Sequence, residues 1–216
     1  MSMSGETTPK PSKTASPEGG AIFLLRHGEI RSGGGKRYIG WQDHALSDAG
    51  LAQARRWAGY FSGAALKAIY CSDLARCLET ARIIGARCSL EPEVLPELRE
   101  INLGTWDGQL FHTVQTLYPR AFQERGDHIA DHRPPGGESF RDLQARVWPV
   151  FEEIARRICG PTLLVTHAGV IRVLLCRLLG MPLENLFCIG QTHGALNIIE
   201  RRSQNLRLQG MNLRSL

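Results

Sequence analysis

The chain has 216 residues and a formal net charge of +5, with 43% of its residues hydrophobic and 22% charged. That balance excludes a fibrous or low-complexity protein and leaves one globular domain with room for a sizeable core. The basic residues are scattered, so the charge suits an anionic substrate or a solvated surface, and no nucleic-acid stripe is expected.

No stretch reaches membrane-spanning length, and the first residues lack the charged-then-apolar plan of a signal peptide. A cytoplasmic protein with no membrane partner is expected. The six cysteines, Cys71, Cys77, Cys88, Cys159, Cys176 and Cys188, form no C-x-x-C pair and no zinc spacing. Several sit in apolar patterns, Cys77 and Cys176 most clearly, and read as buried thiols in a reducing compartment.

Residues 1–19 are built from Ser, Thr, Pro, Lys, Glu and Gly with few apolar residues, which predicts a disordered tail ahead of a domain over 20–216. Ala21 to Leu25 is a short apolar run, as expected of a strand buried on both faces of a parallel sheet. It stops on Arg26-His27-Gly28-Glu29, placing a guanidinium and an imidazole at the carboxyl end of a strand, where open α/β sheets bind ligands. A glycine-rich loop follows over 31–35, matching no P-loop. Ser47 reads as an N-cap for a helix with Leu51, Ala54, Ala58 and Phe61 on one face.

Ala68 to Tyr70 is a second strand, and the helix after Ser72-Asp73 turns Leu74, Cys77 or Leu78, Ala81 and Ile84 to the core. Arg76 lies off that stripe in the first turn, where it either adds charge to an anion site at the helix amino terminus or is a solvated surface residue. Glu93 to Leu95 is a third strand. The loop beyond it carries Glu100 between apolar neighbours, two glycines and an exposed-looking Trp106. A carboxylate withdrawn from water favours its protonated form, which suits a general acid, although a salt bridge to Arg99 would account for Glu100 equally well.

Residues 109–133 mix polar and aromatic side chains and predict a helical insertion covering the site, part of a cap over about 105–137. His112, His128 and His132 give one i, i+4 pair and no metal motif. After Pro134-Pro135-Gly136-Gly137, Glu138 opens a long helix that Pro149 should kink or split. Thr162 to Val165 is another buried strand, ending at Thr166-His167-Ala168-Gly169 before an apolar helix with Gly180 as its C-cap. Ala195 to Ile199 reads as a last strand at an edge, followed by a polar tail from Arg201.

Two histidines and two arginines thus converge on one sheet edge with one carboxylate nearby. That set suits phosphoryl transfer: Nδ1 or Nε2 of a neutral imidazole attacks phosphorus, arginines hold the phosphate oxygens, and a carboxylic acid protonates the leaving alkoxide.

Arg26-His27-Gly28-Glu29, Ser72-Asp73-Leu74-Ala75-Arg76 with Thr80-Ala81, the Glu100 to Gly108 loop, Pro135-Gly136-Gly137-Glu138-Ser139 and Thr166-His167-Ala168-Gly169 resemble the histidine phosphatase (phosphoglycerate mutase-like) superfamily from about Ala21 to Ile199. The resemblance implies a three-layer α/β/α sandwich with a mostly parallel central sheet and a small helical cap. It implies His27 as the phosphorylated nucleophile, Arg26, Arg76 and His167 as the rest of the phosphate pocket, Glu100 as proton donor and Gly40 as a backbone contact. No metal and no cofactor is implied, and the partner is a small phosphorylated metabolite, bound by a monomer or a homodimer. Ile30 and Gly33 stand where the family often has threonine and asparagine, which removes polar contacts at the pocket rim.

Three functions follow from that resemblance: a phosphomonoester hydrolase, a cofactor-dependent phosphoglycerate mutase, or an inactive phosphate-binding regulator. The compact segment from Glu100 to His167 favours hydrolysis, and the presence of all the charged residues disfavours the regulator. Gly28-Glu29-Ile30 and Leu179-Gly180-Met181-Pro182 with Glu184 look similar to α-ribazole phosphatases of cobalamin assembly, a pattern that broad-specificity phosphomonoesterases and the phosphoserine phosphatases of the superfamily largely share. An aromatic cap could stack such a heterocycle, or could simply be the cap's own core.

Overall fold

The computed structural model describes residues 20–202 and 205–215, so the tail expected over residues 1–19 lies outside the described residues. Six strands form one sheet: β1 (Ala21–Arg26), β2 (Ala68–Cys71), β3 (Glu93–Val94), β4 (Thr162–Thr166), β5 (Leu196–Arg202) and β6 (Asn205–Leu213). Their spatial order is β3-β2-β4-β1-β5-β6. β1 to β4 run parallel, whereas β5 is antiparallel to β1 and β6 antiparallel to β5. The fold is the expected α/β/α sandwich with a mostly parallel sheet.

Alternation along the central strands builds the layers, because successive side chains point to opposite faces. Ile22 and Leu24 of β1 and Leu164 of β4 pack on one side with α5 (Phe140–Arg157) and α6 (Ala168–Leu179). Phe23, Leu25, Leu163 and Val165 pack on the other with α1 (Asp48–Phe61) and α2 (Ala75–Cys88). Both faces of β1 and β4 are covered, which is why those segments read as unbroken apolar runs. Ser47 caps α1 through Gly50 N–H, and Gly180 ends α6 in the left-handed region.

The structure corrects several expectations. The strand near the carboxyl end is not an edge: β5 lies between β1 and β6, and the polar stretch beyond it forms β6. Exposed and half-buried positions alternate along β6, as on a strand with one wet face, so composition alone reads as tail. The long helix begins after Ser139, not at Glu138, because Ser139 and Asp142 close a capping box. Pro149 does not split it: α5 continues for 18 residues. Ala145 and Pro149 both lie on its exposed side, so the carbonyl that proline leaves without a donor meets water. Trp106 is 1% exposed and belongs to the core under the cap. Cys71, Cys77 and Cys176 are buried, whereas Cys159 and Cys188 are exposed. The cap holds two short helices, α3 (Phe111–Leu117) and α4 (Pro119–Asp127).

Candidate active site

His27 follows the last residue of β1. Its backbone is held on both sides, its N–H donating to Thr166 carbonyl at 3.0 Å and its carbonyl accepting from Gly194 N–H at 3.0 Å. Gly28 is required by packing: a Cβ there would lie 2.5 Å from Gly50 carbonyl oxygen, where the amino end of α1 crosses. The His27 ring is 4% exposed, and Nδ1 lies 2.8 Å from Gly28 carbonyl oxygen. A carbonyl only accepts, so Nδ1 carries the proton and the lone pair is on Nε2. Burial, then the His167 and Arg26 charges, hold this imidazole well below its ordinary pKa, so it is neutral at physiological pH.

Arg76 enters from the first turn of α2 and is 1% exposed, which closes the solvated-surface alternative. It donates to Gly40 carbonyl at 2.6 Å, Gln42 carbonyl at 3.0 Å and His167 Nδ1 at 3.3 Å. A guanidinium has five N–H groups, so donors remain for an anion. Gly40 donates its own N–H to Asp107 at 2.8 Å. Both of its polar groups are therefore engaged within the protein, the carbonyl by Arg76 and the N–H by Asp107.

His167 accepts at Nδ1 from Arg76, leaving Nε2–H to face Ser72 Oγ at 3.0 Å. Its ring centroid lies 5.2 Å from that of His27, and burial followed by the Arg76 and Arg26 charges lowers its pKa too. Arg26 donates to Gln191 carbonyl at 2.6 Å and to His193 Nε2 at 2.7 Å. Its Nε is buried without a partner among the described residues, and burial is the main cause lowering its pKa to about 10. A buried donor left free beside a neutral imidazole is available to an anion.

Glu100 is 9% exposed and is not paired with Arg99, which instead holds Asp73 at 2.7 Å. One carboxylate oxygen accepts Gly169 N–H at 3.1 Å, at the amino end of α6, and the other accepts Ile101 N–H at 2.9 Å. A Cβ on Gly169 would fall 2.2 Å from Glu100 Oε1, so glycine after His167-Ala168 makes room for the carboxylate.

Arg26, His27, Arg76 and Glu100 share a cavity of about 270 Å³ that Ser32, Lys36, Arg37 and His193 also line. Of the six sequence-derived site residues, four line it, His167 stands next to the His27 ring and is bonded to Arg76, and Gly40 accepts from Arg76. Ile30 contributes an apolar wall where a polar rim residue was expected to be absent, and Ser32 and the Lys36-Arg37 pair supply polarity there instead.

His193 was missed. Its ring is 5.5 Å from that of His27, and burial with the Arg26 and Arg76 charges brings its pKa down to about 4. In a parallel sheet the site residues follow the carboxyl ends of strands, but β5 runs antiparallel to β1, so the residues before its start reach the same edge. His193-Gly194 immediately preceding an apolar strand was the available signal. Among the described residues, no group of three or more His, Cys, Asp or Glu is placed to hold a metal ion, and His112, His128 and His132 lie outside the cavity.

A buried neutral imidazole ringed by arginines at the carboxyl edge of a three-layer sheet defines a class of anion-handling α/β proteins. The chain belongs to branch 1 of the histidine phosphatase superfamily, whose family model matches residues 22–214. It is 33% identical over 177 residues to a glucosyl-3-phosphoglycerate phosphatase of Mycolicibacterium vanbaalenii, covering 78% of each chain. It is 32% identical to phosphoserine phosphatase 1 of Hydrogenobacter thermophilus, over 87% of this chain and 90% of the relative. The solved α-ribazole phosphatase of Shigella flexneri has the same fold, with a TM-score of 0.83 at 24% identity over 91% of this chain and 98% of that one. No helix among the described residues is long and apolar enough to cross a membrane.

Proposed function

We propose that the chain is a phosphomonoester hydrolase that works without a metal, through a phosphohistidine on His27. The observation that carries this reading is the 2.8 Å approach of His27 Nδ1 to Gly28 carbonyl, which only accepts, so the proton belongs on Nδ1 and Nε2 presents a lone pair beside Arg26 and Arg76. Nε2 attacks phosphorus and the P–O ester bond breaks in line. The two arginines take the charge on the phosphoryl oxygens, the role that metal ions fill in other phosphatases. Glu100 gives its proton to the departing alkoxide and then takes one from the water that cleaves the P–N bond. Two of the relatives are named phosphatases, which supports hydrolysis, while others are named phosphoglycerate mutase-like or probable phosphoglycerate mutase.

The α-ribazole reading rests on the Gly28-Glu29-Ile30 and Leu179-Gly180-Met181-Pro182 motifs, and an aromatic cap could stack its heterocycle. In the cap some of those faces stack on each other, Tyr38 flat on Phe111 at 3.9 Å and Trp106 between Tyr38 and His132, while Phe187 remains exposed beside a cavity under the cap. The stacked rings support a cap core.

The test is phosphate release from a panel of monoesters with EDTA present, paired with labelling by a phosphoryl donor. Wild-type protein should release phosphate and take up the label, and His27→Ala should do neither while keeping its circular dichroism spectrum. Isomerisation of 3-phosphoglycerate without phosphate release would make it a mutase, and loss of activity in EDTA would refute the metal-free scheme.

A further inference from the structure

We propose that Arg146 and Glu138 are positioning residues for the proton donor: they hold the main chain on both sides of Glu100, and this is the work of the Pro135-Gly136-Gly137-Glu138-Ser139 motif. The inference rests on the phosphomonoesterase reading with Glu100 as its acid. The motif places no side chain in the phosphate cavity, so its part in the chemistry is indirect.

Glu100 lies between two short turns, Pro96–Leu98 and Gly104–Trp106, in backbone that belongs to no strand or α-helix. No ladder of main-chain hydrogen bonds therefore fixes it, and side chains take that place. Four successive carbonyls are held. Glu97 and Arg99 accept from Arg146 Nη1 at 2.6 and 3.2 Å, and Leu98 accepts from Thr166 Oγ1 at 2.8 Å. Glu100 carbonyl accepts from Arg146 Nη2 at 3.2 Å and from Trp41 Nε1 at 2.7 Å.

Arg146, in the middle of α5, gives its two remaining N–H groups to Glu138, Nε to Oε1 and Nη2 to Oε2, both at 2.8 Å. A guanidinium has five N–H groups, and all are now spent within the protein. None is left for a substrate, so its role is placement. Glu138 continues the clamp beyond the acid: Oε2 accepts Asn102 N–H at 2.9 Å, and its own N–H donates to Asn102 carbonyl at 2.8 Å. Thr105 N–H donates to Pro135 carbonyl at 3.0 Å. The two segments lie so close that a Cβ on Gly137 would fall 2.7 Å from Asn102 carbonyl oxygen, and one on Gly104 2.1 Å from that of Pro135. Residues 97–100 are thus tied to Arg146 and residues 102–105 to the motif. A group that transfers a proton must be held to within about 0.5 Å, and this clamp supplies that constraint from outside the cavity.

The experiment measures kcat/KM of the full chain for an alkyl phosphate from the monoester panel, whose alkoxide needs a proton, and for p-nitrophenyl phosphate, whose phenolate departs without one. Arg146→Met should lower the alkyl value roughly 10- to 10²-fold and the aryl value little, because the acid is displaced and the phosphate pocket is not. Glu138→Gln should show a smaller split of the same sign. Arg146 also lowers the His167 pKa through its charge. Arg146→Lys keeps that charge but offers its donors from one atom instead of a planar fork, and should keep part of the split. In a Glu100→Gln background Arg146→Met should cost the alkyl substrate little more, since it acts through the missing acid. Should Arg146→Met fail to fold, Arg146→Lys and Glu138→Gln decide. Equal losses on the two substrates, a loss undiminished in the Glu100→Gln background, or a wild-type ratio in Arg146→Lys would each overturn the positioning role and leave the phosphatase reading standing. Absence of phosphate release from every monoester would overturn the phosphatase reading, and this inference with it.

Discussion

Replacing Gly169 by alanine isolates the proton-donor role of Glu100 without touching the carboxylate. Gly169 is the second residue of α6, where alanine ordinarily favours the helix by up to about 1 kcal/mol. Here its methyl group would lie 2.2 Å from Glu100 Oε1, whereas ordinary contact begins near 3.4 Å. The carboxylate must move by about an ångström and weaken its hydrogen bond to Gly169 N–H. A shift of that size in a group that transfers a proton costs roughly 10²-fold in rate. The loss should fall only on substrates whose leaving group needs a proton.

The assay is kcat/KM for an alkyl phosphate and for p-nitrophenyl phosphate, because kcat/KM covers departure of the alcohol and omits hydrolysis of the phosphohistidine that follows. Gly169→Ala should lower the alkyl value about 10²-fold and change the aryl value little. Glu100→Gln should show the same split, within the 10²–10⁴-fold range of general acid catalysis. Equal losses on the two substrates, or none, would refute the assignment of Glu100 as the acid.

Arg76→Met strands Gly40 and Gln42 carbonyls and His167 Nδ1, so urea unfolding should show a loss of at least about 2 kcal/mol along with lost phosphate binding; unchanged stability would mean the loop is held elsewhere. The pKa of His193 is about 4 in the folded chain against an ordinary 6.5, so the unfolded chain binds the extra proton between those values. Stability is then full above about pH 6.5 and declines as pH falls through the folded value. The contribution of this group is about 3 kcal/mol, and His27 and His167 act in the same direction. His193→Gln should flatten that decline between pH 7 and 4, and an equally steep decline in the variant would refute it. The same variant removes a partner from Arg26 Nη2 and should weaken competitive inhibition by inorganic phosphate roughly tenfold.

Much of this protein is decided by local sequence. Apolar runs ending in Arg26-His27 and Thr166-His167 fix buried parallel strands and place their polar residues at the carboxyl edge, because a strand covered on both faces admits polar side chains only at its ends. Ser47 and Gly180 mark helix ends through the backbone groups they satisfy or release. What only the tertiary structure decided concerns partners distant in the chain. Periodicity put Arg76 off the apolar stripe, but its burial comes from Gly40 and Gln42 closing over it. Trp106 has the composition of a loop and the burial of a core residue because the cap covers it. The direction of β5 is not encoded in its own alternation, and that direction alone brings His193 to the phosphate cavity. Arg146 is one of several basic residues on α5, 46 positions from Glu100 in the sequence, until packing sets its fork against the loop that carries the acid. Short-range pattern reports which side chains are withdrawn from water at a strand or helix; which ones face each other depends on packing energies summed over the whole chain.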